Sequence, residues 1–132
     1  MRIHDCGTTS MKIKKFEDLE CWKKARELVN MIYHLTNQEK FKKDFRLCGQ
    51  IRDASGSAMH NIAEGFDAGS DAEFIRFLKI SRRSASEVQS HLYLALDQKY
   101  ITPIQLREVY EKATEVKRLI NGLMAYLHGT KK

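Results

Sequence analysis

The chain has 132 residues with one proline, seven glycines, and 23 Lys plus Arg against 17 Asp plus Glu, for a net charge of +6. That length carries one domain with a real core, and so few Pro and Gly exclude a fold of many short strands and turns. Three widely spaced cysteines with no C-x-x-C pair signal neither a disulfide framework nor a structural zinc site, and no apolar run nears the roughly 20 residues of a membrane span.

The first eleven residues are weakly patterned and lack the apolar centre of a signal peptide, and Met11 is an alternative start. They are read as an extension (1–11) to a single domain over 12–129, with a short tail at 130–132. A cytoplasmic protein with reduced thiols and no membrane association is expected.

A helical pattern begins near Asp18. Trp22, Ala25, Val29 and Ile32 form its main stripe, with Cys21, Leu28, Met31 and Leu35 on an adjoining one. This helix is predicted to reach residue 36. After a polar link, Asp44 is placed to cap a second helix over 44–65. In that helix Leu47, Ile51, Ala54, Ala58, Asn61 and Gly65 recur at 4-3-4-3-4 spacing, one narrow packing seam. The small residues from Ala54 to Ala58 let a facing backbone approach closely, and Gly65 is expected to end the helix in the left-handed conformation.

Phe66 to Gly69 reads as a turn, and Ser70 with Glu73 has the spacing of a capping box. The third helix, 71–97, carries the seam Phe74, Leu78, Ser81, Ala85, Val88, Leu92 and Ala95. Thr102, Pro103 and Gln105 then supply an N-cap, a first-turn proline and a capping partner. The fourth helix, 103–128, has the seam Leu106, Val109, Ala113, Val116, Ile120, Leu123 and Leu127. Four amphipathic helices on short links predict an all-α, antiparallel up-down-up-down four-helix bundle, and seams repeating every 3.5 residues predict left-handed supercoiling. Leu28, Met31, Ile80, Tyr93, Leu94, Tyr110 and Tyr126 fall beside the main seams; they either widen the core or form contacts between copies.

Catalytic machinery is not legible. A carboxylate-bridged metal bundle needs Glu-x-x-His pairs, and there are none. His60 with Glu64 and Glu87 with His91 are spaced i, i+4, but in a hairpin turning near residue 68 the two pairs lie about 15 Å apart along the axis and cannot share a metal. No glycine-rich phosphate loop or activated nucleophile is present. No catalytic residue, metal or cofactor is therefore expected.

The same register brings Asn61 level with Arg76, with Glu64 about a turn away. These three are read as a structural polar network fixing bundle register, with a ligand or partner site as the alternative. Basic residues group as Arg76, Lys79, Arg82 and Arg83; as Lys23, Lys24 and Arg26; and as Lys40, Lys42, Lys43 and Arg46. Lys79, Arg82, Arg83, Lys23, Lys24, Lys42 and Lys43 are the candidate phosphate contacts. Acidic residues interleave with them, so a protein-partner scaffold without nucleic-acid binding stays open beside RNA or DNA binding.

F-E-D-L-x-x-W-x-K-A at Phe16 to Ala25, Q-I-R at Gln50 to Arg52, S-x-x-x-N-I-A-E-G-F at Ser57 to Phe66 and E-F-I-R-F-L at Glu73 to Leu78 together resemble the four helix bundle protein family, also called the 23S rRNA intervening-sequence protein family. The resemblance covers roughly residues 12 to 127. It implies a bacterial four-helix bundle that looks like known homopentameric assemblies, no established enzymatic activity and a suspected role in nucleic-acid binding. Met59 stands where many members have a proline, and Asp53 where many have a basic residue.

Overall fold

The computed structural model describes residues 2–4 and 10–129, and side chains from Ile13 onward. The expected tail at 130–132 and most of the 1–11 extension lie outside the described residues. Arg2–His4 (β1) and Ser10–Lys12 (β2) pair antiparallel, with Ile3 opposite Met11. This ribbon, whose β1 lies against the fourth helix, is a departure from the sequence reading. Three-residue strands are too short to give a period-2 pattern any statistical weight.

Four helices make up the rest: α1 (Glu20–Thr36), α2 (Phe45–Phe66), α3 (Asp71–Asp97) and α4 (Pro103–Gly129). Their starts follow local chemistry. Asp44 accepts the Leu47 amide at 3.1 Å, and Ser70 accepts the Glu73 amide at 3.2 Å. Thr102 and Gln105 cap each other reciprocally at 3.0 and 3.1 Å ahead of Pro103, so two otherwise orphaned amides are satisfied together. The box at Ser70 is only half made, because the Glu73 carboxylate turns to Arg76 instead.

Each helix packs on its chain neighbours, and α4 returns to α1, closing a square. The pairs run antiparallel. Between α2 and α3, Ser57 meets Ser84 and Ala58 meets Ser81. Between α3 and α4, Arg82 meets Asn121 and Gln89 meets Thr114 and Tyr110. As one residue number rises, the other falls. Glu27 on α1 binds Lys112 on α4. One end of the bundle therefore holds the α2–α3 turn. The other holds the α1–α2 and α3–α4 loops, tied together by Tyr100, which stacks on Phe41 at 5.3 Å and donates to Asp44 at 3.0 Å.

The predicted α3 seam is buried along its whole length, as is α4's from Val109 to Leu127. Helix α1 differs from expectation. Its buried line is Cys21, Ala25, Leu28, Ile32 and Leu35, while Trp22 and Val29 are only half buried. A helix at a corner of the square buries the line between its two neighbours, and that line runs between the two expected stripes. Trp22 instead lies edge-on to Phe16, centroids 5.2 Å apart.

Gly65 is also reassigned. It lies inside α2, which runs unbroken through Met59, and a Cβ there would come within 2.8 Å of both Phe74 Cδ1 and Phe77 Cβ. Close approach of α3 requires the glycine. The left-handed conformation belongs to Gly69, φ 92°, in the turn that follows. At the other end of α3, Lys99 adopts φ 64°, with the Lys99 amide bonded to Leu96 O and the Tyr100 amide to Ala95 O. That is a Schellman ending with lysine where glycine is usual.

Gly65→Ala should destabilise by about 1–3 kcal/mol through overpacking. Gly56→Ala, where an added methyl meets nothing within 4 Å, should instead stabilise by about 0.5–1 kcal/mol. Denaturant midpoints of the two variants check this, and equal shifts would contradict the packing described.

Candidate nucleic-acid interface

The expected network of Asn61, Glu64 and Arg76 is not assembled. Asn61 Nδ2 donates to Ser57 O at 2.8 Å and Ser57 Oγ at 3.0 Å, and Ser57 Oγ lies 2.8 Å from Ser84 Oγ on α3. Asn61 thus reaches α3 through a serine pair. Arg76 lies on the outer face of α3. Its Nε donates to Glu73 Oε2 at 2.9 Å and its Nη2 to Oε1 at 3.2 Å, with the guanidinium over Phe77 at 4.5 Å. The two charges hold each other ionised, lowering the Glu73 pKa and raising that of Arg76, mainly through the hydrogen bonds. Glu64 is exposed, with no side-chain partner among the described residues. The Ser57–Ser84 and Ala58–Ser81 contacts set Asn61 opposite residues 78–80 of α3, short of Arg76, and the arginine points outward and has a carboxylate three positions back on its own helix.

The polar centre that sequence reasoning missed is Gln89, which is 6% exposed between α3 and α4. Its Nε2 donates to Thr114 Oγ1 at 2.9 Å and Tyr110 O at 3.2 Å, while its Oε1 accepts from Lys117 Nζ at 2.9 Å. A second such cluster closes the loop end of α1. Arg52 donates through Nε to buried Thr36 Oγ1 at 2.9 Å and through Nη2 to Asn37 Oδ1 at 3.3 Å, and its guanidinium stacks on Tyr33 at 4.6 Å. The available signal was a glutamine beside the Val88 seam position, facing a helix with Thr114 and Lys117 one turn apart.

The seven candidate phosphate contacts separate into two kinds. Lys23 pairs with Glu20 at 3.2 Å, Lys24 with Glu27 at 3.3 Å and Lys42 with Glu39 at 3.3 Å. Arg82 Nη1 donates to Asn121 Oδ1 at 2.7 Å, bridging α3 to α4. Lys79, Arg83 and Lys43 are exposed and carry no carboxylate partner among the described residues. The groups are not brought together. Lys23 and Lys24 lie on α1, diagonally across the square from Lys79 and Arg83 on α3, and Lys42 and Lys43 are at the loop end.

Among the described residues no group of three or more His, Cys, Asp or Glu is arranged to hold a metal. The His91–Glu87 pair at 3.4 Å stands alone on α3. Cys21 is buried, and desolvation pushes its thiol from 9.0 up to about 12; burial also raises Cys48, whose Sγ donates to Phe41 O at 3.2 Å. Both thiols are held in the form that does not attack electrophiles.

Gln89→Ala should cost about 1–3 kcal/mol by stranding Thr114 and the Lys117 ammonium, whereas Glu64→Ala should stay within about 0.5 kcal/mol. Urea titration of both variants decides this. A second outcome concerns pH. The unfolded Cys21 thiol ionises near 9.0 while the folded one keeps its proton to about 12, so the unfolded chain binds fewer protons across that window and stability falls as pH rises through it. Cys21→Ala should show a shallower decline of Tm above pH 9 than the wild type, and parallel curves would contradict it.

No curated protein matches the chain. A solved structure described as a protein with unknown function from the S23 ribosomal protein family of Bacteroides thetaiotaomicron is similar, with a TM-score of 0.69 and 30% identity over 79% of this chain and 97% of that one. The family model described as the 23S rRNA-intervening sequence protein matches residues 17–122. That span takes in all of α1, α2 and α3 and most of α4, and the chain accordingly belongs to the 23S rRNA-intervening sequence protein family.

Proposed function

We propose that this chain is a non-catalytic, cytoplasmic homo-oligomer, a pentamer, that binds the phosphate backbone of RNA or DNA without a cofactor. The observation that carries the reading is the pair Lys79 and Arg83, one turn apart on the outer face of α3, exposed and unopposed by carboxylates. Cations already paired gain little by moving to a phosphate, because they must first give up a partner. Unpaired cations release counterions on binding at no such cost. Lys43 at the loop end is a second contact of this kind, and Lys23, Lys24, Lys42 and Arg82 are secondary ones. The descriptions of the family and of its solved member, which name 23S rRNA and a ribosomal protein family, agree in direction.

The free cations of a single copy are separated around the bundle, so its affinity is weak. Repetition around a ring raises avidity without a new contact. Since no base-reading motif accompanies the cations, binding follows charge more than sequence.

Lys79→Ala with Arg83→Ala should leave fold and mass unchanged, and should reduce the slope of log affinity against log salt by roughly 1.5 for each protomer in contact, since each lost phosphate contact removes about 0.7–0.9. Electrophoretic titration with structured RNA, single strands and duplex DNA over a salt series measures it. A wild type that binds none of these at low ionic strength hands the reading to a scaffold that docks a protein partner.

A further inference from the structure

On α3 the residues that reach α4 form one line. Arg82 bonds to Asn121, Gln89 bonds to Thr114, and Tyr93 meets Tyr110. Toward the loop end this line opens into a groove of about 640 Å³, within the size range of ordinary ligand sites, with Tyr93, Leu96, Leu106 and Tyr110 among its lining residues. Tyr93 is 51% exposed, and its edge-to-face contact with Tyr110 at 5.9 Å takes up at most one face of its ring. An aromatic face therefore lies open to whatever enters.

Charge is set at intervals along the α4 wall. Arg107, Glu111, Thr114 and Arg118 line the groove at 4-3-4 spacing, one stripe of the helix, which places the two arginines three turns or about 16 Å apart. Both are exposed, and neither has a hydrogen-bond or ion-pair partner among the described residues. Glu115, one turn before Arg118, is held by Lys112 instead. Glu111 lies between the arginines, so it keeps phosphates away from the middle of the groove and leaves them the two ends. Toward the turn end, the same line of α3 leads one turn past Arg82 to Lys79, so that free cation and the groove lie on one side of the molecule.

Resting on the polyanion reading above, we infer that the α3–α4 groove takes a single-stranded segment of RNA or DNA, with an unpaired base stacked on Tyr93 and flanking phosphates on Arg107 and Arg118. An open aromatic ring between unpaired arginines combines the two contacts that strand binding uses, base stacking and charge-assisted bonds to the backbone. A duplex keeps its base faces inside the stack and presents phosphates alone, so it meets the cations and not the ring. An acidic peptide fits less well. Its closely spaced carboxylates would meet Glu111, whereas a nucleotide carries its charge on the backbone and offers a neutral ring to the centre of the groove.

The test measures fluorescence anisotropy with a labelled single-stranded RNA, the same RNA annealed to its complement, and, as a competitor that has the charge without the rings, inorganic polyphosphate. Tyr93→Leu and Tyr93→Phe are surface changes, each checked for native helicity by circular dichroism and for mass by light scattering. Tyr93→Leu should weaken the single strand by roughly 5- to 150-fold, the worth of one stacked base, and leave duplex and polyphosphate affinities unchanged. Tyr93→Phe, which keeps the ring, should bind as wild type does. Arg118→Ala should lower the salt slope for the single strand by about 0.7. A wild type that binds none of the probes defeats the polyanion reading and this inference together. A wild type that binds them while Tyr93→Leu affects none, or all equally, overturns the groove alone. Displacement of the single strand by polyglutamate and not by polyphosphate assigns the groove to an acidic peptide, and a Tyr93→Leu protein of altered mass assigns it to a contact between copies; either result overturns the inference.

Discussion

Close approach of α2 and α3 is the constraint on which the rest of the bundle depends. Ala54, Ser55 and Ala58 on one helix face Ser81, Ser84 and Ala85 on the other, and the gap is narrow enough for Ser81 Oγ to donate to the Ala58 carbonyl at 2.6 Å. At the turn, Gly65 lets the Phe74 ring lie directly on the α2 backbone. Small residues alone would bury little apolar area, so the hydroxyls matter. They supply bonds across the seam, and among the described residues no buried side-chain N or O lacks a partner. With this pair drawn together, the larger side chains of α1 and α4, including Leu28, Ile32, Val116 and Ile120, fill the other half of the square.

The two ends of the bundle consequently differ. At the turn end, a tight four-residue connection and two phenylalanines leave no large apolar side chain exposed among the described residues. The loop end is held by single specific contacts: Tyr100 on Phe41 and Asp44, Cys48 on the Phe41 carbonyl, and Arg52 on Thr36. Such contacts fix the loops while leaving Phe45, Ile104 and Tyr93 uncovered. An end rigid in backbone and apolar in surface is suited to recognition, because little conformational entropy remains to be lost on binding.

Charge is distributed by a similar logic. Half of the Lys and Arg on α1 and in the first loop, namely Lys23, Lys24 and Lys42, neutralise a carboxylate three positions away. Exposed pairs of this kind contribute little to stability, yet they decide which part of the +6 excess a polyanion meets. The outer face of α3, with Lys79 and Arg83, keeps its charge free. A face of two cations is weak by itself, so the proposed function and the proposed assembly depend on each other.

The helix bounds, the caps at Asp44, Ser70 and Thr102, and the seams of α3 and α4 were legible in the chain itself, because each follows from residues within a few positions of one another. Periodicity and capping are local, and local signals survive without knowledge of the partner. The family resemblance was legible for the same reason, resting on contiguous motifs. What tertiary structure decided was the choice among partners. Arg76 took Glu73 on its own helix over Asn61 across the groove, Asn61 turned to Ser57, and Gly65 proved necessary for the Phe74 and Phe77 side chains and not for a helix end. Buried Gln89 found three partners on α4 that no spacing within α3 reveals. Long side chains reach several candidates at similar cost, and only the relative placement of the helices, fixed by packing along the seams, selects among them.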